Sequence, residues 1–367
     1  MTSPGATQGV PSPISGRPHG MPTSAMALQD RMLAEFQAVY VASIEPTVRR
    51  ALGDGDSGIL GRFRRWLYAP LGYTLGNRRN FFRGAFAIKA SRAGPHPEAA
   101  HILAASVEIA WSSALILDDI IDRSNEREGQ AAAYRVFGTS RCLVAVGVAL
   151  CGVLHQILVR APGSLSARIE RTCRAVQYLT LCTLTQLPGR GIPSIDSFRR
   201  DARRVNISHH WALLSPLAGS QNVRLKRTLA RYADHMTVSG KMRNDLLDYY
   251  GGSSEREAIL DDFNARRPSF PIIVLWTQGL RSSDREMVAK HFAGTDDMRA
   301  EQLFALFSRY DVPRVCLGLV LEELEAARLA LRGAQEVKAP AELLRTLHPW
   351  THFVEDVCRE KLTAGSP

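Results

Sequence analysis

The sequence predicts an all-α fold, a single large helical bundle, and three observations carry that expectation. Apolar residues recur at three- and four-residue spacing through long stretches of the chain. The apolar–polar alternation that makes strands is rare, and Gly and Pro fall between the periodic stretches. The periodic stretches are Leu33–Ile44, Glu98–Ile121, Cys142–Val159, Ala167–Leu187, Arg224–Tyr250, Phe270–Leu280 and Arg314–Leu331. Breaks stand at Gly94-Pro95-His96-Pro97 and Pro188-Gly189-Arg190-Gly191. With no internal repeat and no domain linker, residues 28–367 read as one helical domain. Residues 1–27 are rich in Pro, Gly, Ser and Thr and hold few large apolar side chains, which predicts a disordered tail.

An apolar fraction of 45% and a charged fraction of 22% suit a globular domain with a sizeable core. Lys and Arg number 46 against 36 Asp and Glu, a net charge of +10. These basic residues are dispersed and form no nucleic-acid motif, so a polyanionic small substrate and a solvated surface account for them, without nucleic acid. The six cysteines, Cys142, Cys151, Cys173, Cys182, Cys316 and Cys358, include no C-x-x-C pair. Free buried thiols in a reducing cytoplasm are expected, and zinc is not. The N-terminus lacks a basic-then-apolar signal pattern. The longest apolar run, Leu143–Leu154, falls short of the roughly 20 residues that span a bilayer, which predicts a buried central helix and no transmembrane segment.

Two acidic motifs carry the chemistry. Asp118-Asp119-Ile120-Ile121-Asp122 closes a long apolar helix, with Asp118 and Asp122 on one face at i,i+4. Carboxylates at a helix C-terminus oppose the macrodipole and repel one another unless a cation neutralises them. Mg²⁺ suits such hard oxygen donors, and an exposed acidic helix end is the alternative. Arg243-Asn244-Asp245-Leu246-Leu247-Asp248-Tyr249-Tyr250 closes a second long helix, with Asn244 and Asp248 again on one face. Facing each other across a cavity, two such ends could hold a metal cluster that neutralises a diphosphate leaving group.

At these residues the sequence resembles the trans-isoprenyl diphosphate synthases, the polyprenyl synthetase family. Asp118–Asp122 followed by Arg127-Glu128-Gly129 and Phe137-Gly138 resembles the family's first aspartate-rich region with its Arg-Arg-Gly and Phe-Gly. Asn244–Tyr250 resembles the second region, and Asp262-Phe263-Asn264-Ala265-Arg266-Arg267-Pro268 resembles the stretch after it. The resemblance implies the isoprenyl synthase type of helical bundle and a homodimer. It also implies Mg²⁺, three ions with bound diphosphate, on Asp118, Asp119, Asp122, Asn244, Asp245 and Asp248. Catalysis is expected from Asp118, Asp119, Asp122, Asp245 and Asp248. Arg127, Arg267 and His209 are expected to bind diphosphate, His209 standing with His210 where the family has Lys-Thr; a surface turn is the other reading of the two histidines. Ser113 and Ala114 stand where the family limits the prenyl tail, and their small size predicts a C15 or C20 allylic substrate.

The resemblance weakens on the side that binds isopentenyl diphosphate in the family. Glu128 replaces the second Arg of Arg-Arg-Gly, Trp111 replaces a polar residue before the first aspartate, and Gly240-Lys241 replaces Phe-Gln. The register of the basic segment Gly76–Arg83 is open, so Arg78, Arg79 or Arg83 can supply cations there. The sequence therefore favours prenyl transfer to an acceptor other than isopentenyl diphosphate, of indole-type aromatic character, with Trp111, Gly240 and Lys241 lining its pocket. Core packing is the other reading of Trp111. A class I terpene cyclase, a chain-elongating polyprenyl or geranylgeranyl diphosphate synthase and a non-catalytic subunit are the alternatives.

Overall fold

The computed structural model describes residues 34–35, 37–38, 41, 45–51, 58–78, 81–184, 191–205, 208–250 and 260–364. The expected tail 1–27, most of the stretch Leu33–Ile44, and Arg79 lie outside the described residues. The main helices are α1 (Gly58–Asn77), α2 (Phe82–Ser91), α3 (Ala100–Asp122), α4 (Thr139–His155), α5 (Leu165–Leu184), α6 (Ile195–Val205) and α7 (Ser208–Leu214), beside short helical turns such as Glu45–Ala51 and Ala133–Phe137. They continue as α8 (Val223–Tyr250), α9 (Phe270–Thr277), α10 (Ser282–Ala293), α11 (Ala300–Arg309), α12 (Val312–Glu336) and α13 (Ala341–Ala364). Among the described residues the only sheet is a hairpin of β1 (Glu126–Arg127) and β2 (Gln130–Ala131), between α3 and α4. The all-α expectation holds.

Two helices organise the bundle. Around α3 pack α1, α2 and α4, while α8 lies along α12 with α13 against both. Residues 103–110 of α3 are buried without interruption, as in a helix enclosed on every side. Glu108 lies within that stretch and survives there because Arg78 pairs with it at 2.8 Å and the Gly84 N–H donates to it at 2.6 Å. The core between the two halves holds Trp211, Tyr232, Phe81, Phe86, Phe270 and Phe307, each almost fully buried. Each such side chain contributes on the order of 1.5–3 kcal/mol through burial.

The periodic stretches all form helices within the described residues, with ends shifted by a few positions. Others went unpredicted. α2 buries Phe82 through Ala87 consecutively, so its sequence shows no polar stripe to reveal the period. α4 corrects one expectation: it is not a buried central helix, since Leu143, Val144 and Val148 are 41–55% exposed. The helical stretches Pro97–Asp122 and Thr139–Val159 are both long and apolar enough to cross a bilayer by length and composition. The first is mostly buried within the bundle; the second presents an open apolar face. Of the cysteines, Cys142, Cys316 and Cys358 are buried and free as expected, while Cys151 and Cys173 are exposed. The Cys182 side chain lies outside the described residues.

Candidate active site

α3 ends at Arg123 in the left-handed region (φ 56°), which turns the chain into the β1–β2 hairpin. Glu128 (φ 52°) and Gly129 (φ 77°) both have positive φ, as the tight turn of a two-residue hairpin requires. The hairpin returns Arg127 to the helix end. Its Nε donates to Asp119 at 2.8 Å and its Nη2 to Asp118 at 2.9 Å. The guanidinium thus offsets carboxylates that the macrodipole disfavours. Asp119 is buried, while the Asp118 side chain is 44% exposed and open to a ligand. Burial raises both carboxyl pKa values, against the pull of Arg127; Asp122 pushes each further up.

The second motif stands at the end of α8. Asp245 is fully enclosed, accepting from Lys241 Nζ at 2.7 Å and from the Phe270 N–H at 2.9 Å, the start of α9. Burial raises its pKa, with Lys241 acting against it. The Lys241 ammonium is disfavoured by burial, yet Asp245, Asp262 and Asp248 together hold its pKa up. Oxygen atoms of Asp245, Asp248 and Asp262 lie within 4.8 Å of one another, a spacing and an all-oxygen donor set that suit a hard divalent cation. Asp262, in the third motif, joins the cluster beyond the ligands that the sequence predicts. Asn244 is exposed, its Oδ1 accepting from Arg243 at 2.9 Å.

Arg267 joins the two motifs. Its Nη1 reaches Asp122 at 2.6 Å and its Nε reaches Asp262 at 2.9 Å. Both acidic helix ends therefore border one space.

On the other flank, Arg127, Glu128, Arg78, Asn77, Thr74, Tyr73 and Asp119 line a cleft of about 20 Å³, room for little more than one water. Arg78 bonds Ser112 at 2.9 Å as well as Glu108, so its cation is built into the core. Arg83 is buried over the Trp111 ring, 3.5 Å from its centroid, and over Phe82 at 4.2 Å. Trp111 is half-buried and packs with the core, so it is at once a packing residue and a platform for that guanidinium. The Ser113 hydroxyl, fully buried, donates to the Ile109 carbonyl at 2.9 Å, whereas Ala114 is partly open. At Gly240 an added Cβ meets nothing within 4 Å, so the missing side chain leaves free volume.

His209 is not on a surface turn. It is buried on α7 beside Phe82, with ring centroids 5.0 Å apart, and Nδ1 lies 3.4 Å from Thr237 Oγ1. Burial, then Arg83, His210 and Arg243, push its pKa well below the usual imidazole value, so it is neutral. Its Nε2 is buried without a hydrogen-bond partner among the described residues. His210 points elsewhere, to Asp234 at 2.8 Å.

The sequence matches the polyprenyl synthetase family over residues 64–306. The chain belongs to that family. Octaprenyl diphosphate synthase of Escherichia coli (strain K12) is 26% identical over 216 residues, 56% of this chain and 65% of that protein. (2E,6E)-farnesyl diphosphate synthase of Mycobacterium tuberculosis (strain ATCC 25618 / H37Rv) is 22% identical over 52% of this chain and 54% of its own length. The chain thus spans somewhat less than two thirds of the length of these curated relatives. In fold it is similar to geranylgeranyl pyrophosphate synthetase from Pyrococcus horikoshii, at TM-score 0.68 and 13% identity over 89% of this chain and 99% of that one. It is also similar to a polyprenyl synthase from Caulobacter crescentus solved with calcium and isoprenyl diphosphate, at TM-score 0.65 and 16% identity over 91% and 98%. These polyprenyl synthetase relatives are named for making prenyl chains.

Proposed function

We propose that this chain is a prenyltransferase that ionises an allylic prenyl diphosphate of C15 or C20 length and elongates it with isopentenyl diphosphate. The observation that carries the reading is the Arg267 bridge between Asp122 and Asp262, which brings the Asp245–Asp248–Asp262 cluster to the first acidic helix end. Asp118, Asp119, Asp122, Asp245, Asp248 and Asp262, with Asn244, are the oxygen donors that would hold Mg²⁺. Bound there, Mg²⁺ supplies the Lewis acidity that neutralises a departing diphosphate.

The chain's own residues do the rest. Arg127, Arg267 and Lys241 each rest on a carboxylate in the structure and are the cations available to a diphosphate once those carboxylates turn to the metal. Neutral His209 offers Nε2 as a hydrogen-bond donor to the same group. The allylic C–O bond breaks with both electrons leaving on the diphosphate oxygen. The alkene of the acceptor then attacks the allylic carbon, and the new cation loses a proton to the released diphosphate to give the lengthened alkene. Trp111, Phe82 and their neighbours exclude water from the cationic carbon. Purified protein with Mg²⁺, farnesyl or geranylgeranyl diphosphate and isopentenyl diphosphate is expected to give a longer prenyl diphosphate. Release of diphosphate with no lengthened product would overturn the elongation reading.

A second reading, transfer to an indole-type aromatic acceptor, draws support from Glu128 at the cleft beside Arg127 and from the commitment of Arg78 to Glu108. Both reduce the positive charge offered to a second diphosphate. The same assay with indole or an indole phosphate ester separates the readings.

A homodimer in the cytoplasm is the proposed assembly. Leu143, Val144 and Val148 on α4, with Ile169 and Val176 on the adjoining α5, are each 41–55% exposed, apolar side chains open on two neighbouring helices. Sedimentation at twice the chain mass is the expected result.

A further inference from the structure

A second exposed apolar surface differs from that face in its charge. Ile59, Phe63 and Trp66 on α1 are 77%, 55% and 53% exposed. Their i, i+4, i+7 spacing lines them along one stripe. Phe63 and Trp66 stack with centroids 5.9 Å apart. Arg62, Arg64 and Arg65 are exposed among them. Arg141, at the start of α4, lies over Trp66 with its charge 4.3 Å from the ring centroid and donates through Nε to the Trp66 carbonyl at 3.0 Å. It also lies over Phe137, beside the half-exposed Val136.

We propose that this end of α1 docks the protein on a bilayer surface bearing anionic headgroups. Aromatic and branched side chains on one stripe with arginines beside them are what an interfacial helix presents: rings enter the headgroup–acyl boundary, and guanidinium groups meet lipid phosphates. On the α4–α5 face the charge is mixed, with Arg168, Glu170 and Arg174 beside Ile169 and Val176 and Arg174 paired to Glu170 at 2.9 Å, so that face suits a second copy of the chain, whereas α1 carries arginines and no acidic residue and suits an anionic surface. A copy of this chain, at a net charge of +10, would bring further positive charge to it.

The position in the fold gives the contact a use. α1 continues to Tyr73, Thr74 and Asn77, which line the cleft beside Asp119 and Arg127. Tyr73 donates to the Ala131 carbonyl at 2.9 Å, and Trp66 meets Arg141, so the stripe lies past the aspartate-bearing end of α3. Ten residues of helix from Tyr73 back to Phe63 span about 15 Å. A surface docked there holds the mouth of the site close to the headgroup layer. Prenyl diphosphates, with an apolar tail and an anionic head, concentrate in that layer. This use rests on the proposed prenyl-diphosphate substrate; the docking itself does not.

The test is co-sedimentation of the full chain with vesicles of neutral phosphatidylcholine alone or mixed equally with anionic phosphatidylglycerol. Binding to the anionic vesicles, weakened by high salt, is expected. Arg62→Gln with Arg65→Gln is expected to lower the partition coefficient by roughly thirtyfold, about fivefold per arginine. Phe63→Ser with Trp66→Ser is expected to lower it at least tenfold. All four positions are exposed, so the melting temperature should hold, and prenyl transfer from detergent-solubilised substrate should hold as well. Absence of binding to anionic vesicles, equal binding to neutral ones, or unchanged binding by both double variants overturns the proposal. A fall to monomer mass in the Phe63/Trp66 variant reassigns the stripe to a contact between copies and overturns it too. If prenyl transfer is measured and vesicle binding is not, the docking surface alone is wrong.

Discussion

Arg267 and Asp122 stand 145 residues apart in the chain and are joined by a 2.6 Å charge-assisted hydrogen bond. The other side of the same guanidinium holds Asp262. The two acidic helix ends thus share an internal cation. A planar fork does this where a lysine offers only a point charge. Metal ions and Arg267 compete for Asp122 and Asp262, and a diphosphate relieves the competition by giving the guanidinium a new partner. Arg267→Gln is expected to tighten Mg²⁺ binding in the absence of diphosphate, and to weaken inorganic pyrophosphate binding in its presence by about tenfold or more, one lost charge-assisted bond of roughly 1.5–3 kcal/mol. Titration calorimetry reads both. Equal losses of the two affinities contradict the competition.

The aspartates are not interchangeable as probes. Asp118 is partly exposed, so Asp118→Ala should abolish diphosphate release and leave the far-ultraviolet dichroism and melting temperature nearly unchanged. Asp245 is different: its loss leaves the buried Phe270 N–H without its acceptor, and Lys241, whose side chain is 47% exposed, without its partner. Asp245→Ala should therefore unfold more easily, by about 1–3 kcal/mol. Asp245→Asn keeps an acceptor for Phe270 and should fold while losing activity. A stable but inactive Asp245→Ala would show that this pairing contributes little.

What the sequence revealed and what it hid divide along physical lines. The two acidic helix ends were legible because i,i+4 carboxylates after an apolar run have few structural excuses. Asp262 was not counted as a ligand because its partners lie at Asp245 and Asp248, on another helix. The roles of Arg78 and Arg83 were hidden because a buried arginine is recognised only by what it meets, here Glu108 and the Trp111 ring. The burial of His209 was hidden for the same reason, and with it the neutrality that removes it from the cations of the site. α2 was missed because burial on all sides erases the helical period.

Ser113 and Ala114 were expected to play one role, and their surroundings separate them. Ser113 is fully enclosed with its hydroxyl on the Ile109 carbonyl, so Ser113→Phe overpacks the core and should cost about 1–3 kcal/mol. Ala114 is half open, so Ala114→Phe should fold normally and shift preference toward a shorter allylic substrate. Chain length of the products, measured beside the melting curves, decides. Unchanged substrate preference in a folded Ala114→Phe removes this position from the prenyl channel.

Glu323, on α12, ties α6 and α8 to that helix. It accepts from His235 at 2.8 Å and lies 2.8 Å from Arg199, with Arg203 at 3.7 Å. Burial works to raise its carboxyl pKa, but His235, Arg199 and Arg203 outweigh it and leave the group below its usual value. An acid depressed in the folded state adds stability above its unfolded pKa, near 4.3, and loses it as pH falls through the lower folded value. Glu323→Gln should thus destabilise by about 2 kcal/mol or more at neutral pH, with the gap to wild type closing below about pH 4. Denaturant melts at pH 7 and pH 3.5 test it; a gap that widens in acid contradicts the sign.

The acceptor turns on Glu128. It stands in the hairpin turn at φ 52°, beside Arg127 at the cleft. An isopentenyl diphosphate held there meets a carboxylate where the family resemblance implies an arginine, and Arg78 is already spent on Glu108. Glu128→Arg keeps the same unbranched Cβ in the same backbone region, so the turn is not strained further. It removes one repulsion and adds one charge-assisted contact, expected to lower the KM for isopentenyl diphosphate by about ten- to a hundredfold with little change in kcat. Adding Trp111→His frees Arg83 from its stacking partner and should lower the KM again. Elongation by the wild type with these gains in the variants supports the proposed function. Prenylation of indole or an indole phosphate ester by the wild type, lost in Glu128→Arg, assigns the carboxylate to a different acceptor. A cyclised hydrocarbon or alcohol from prenyl diphosphate alone shows that no second substrate is used.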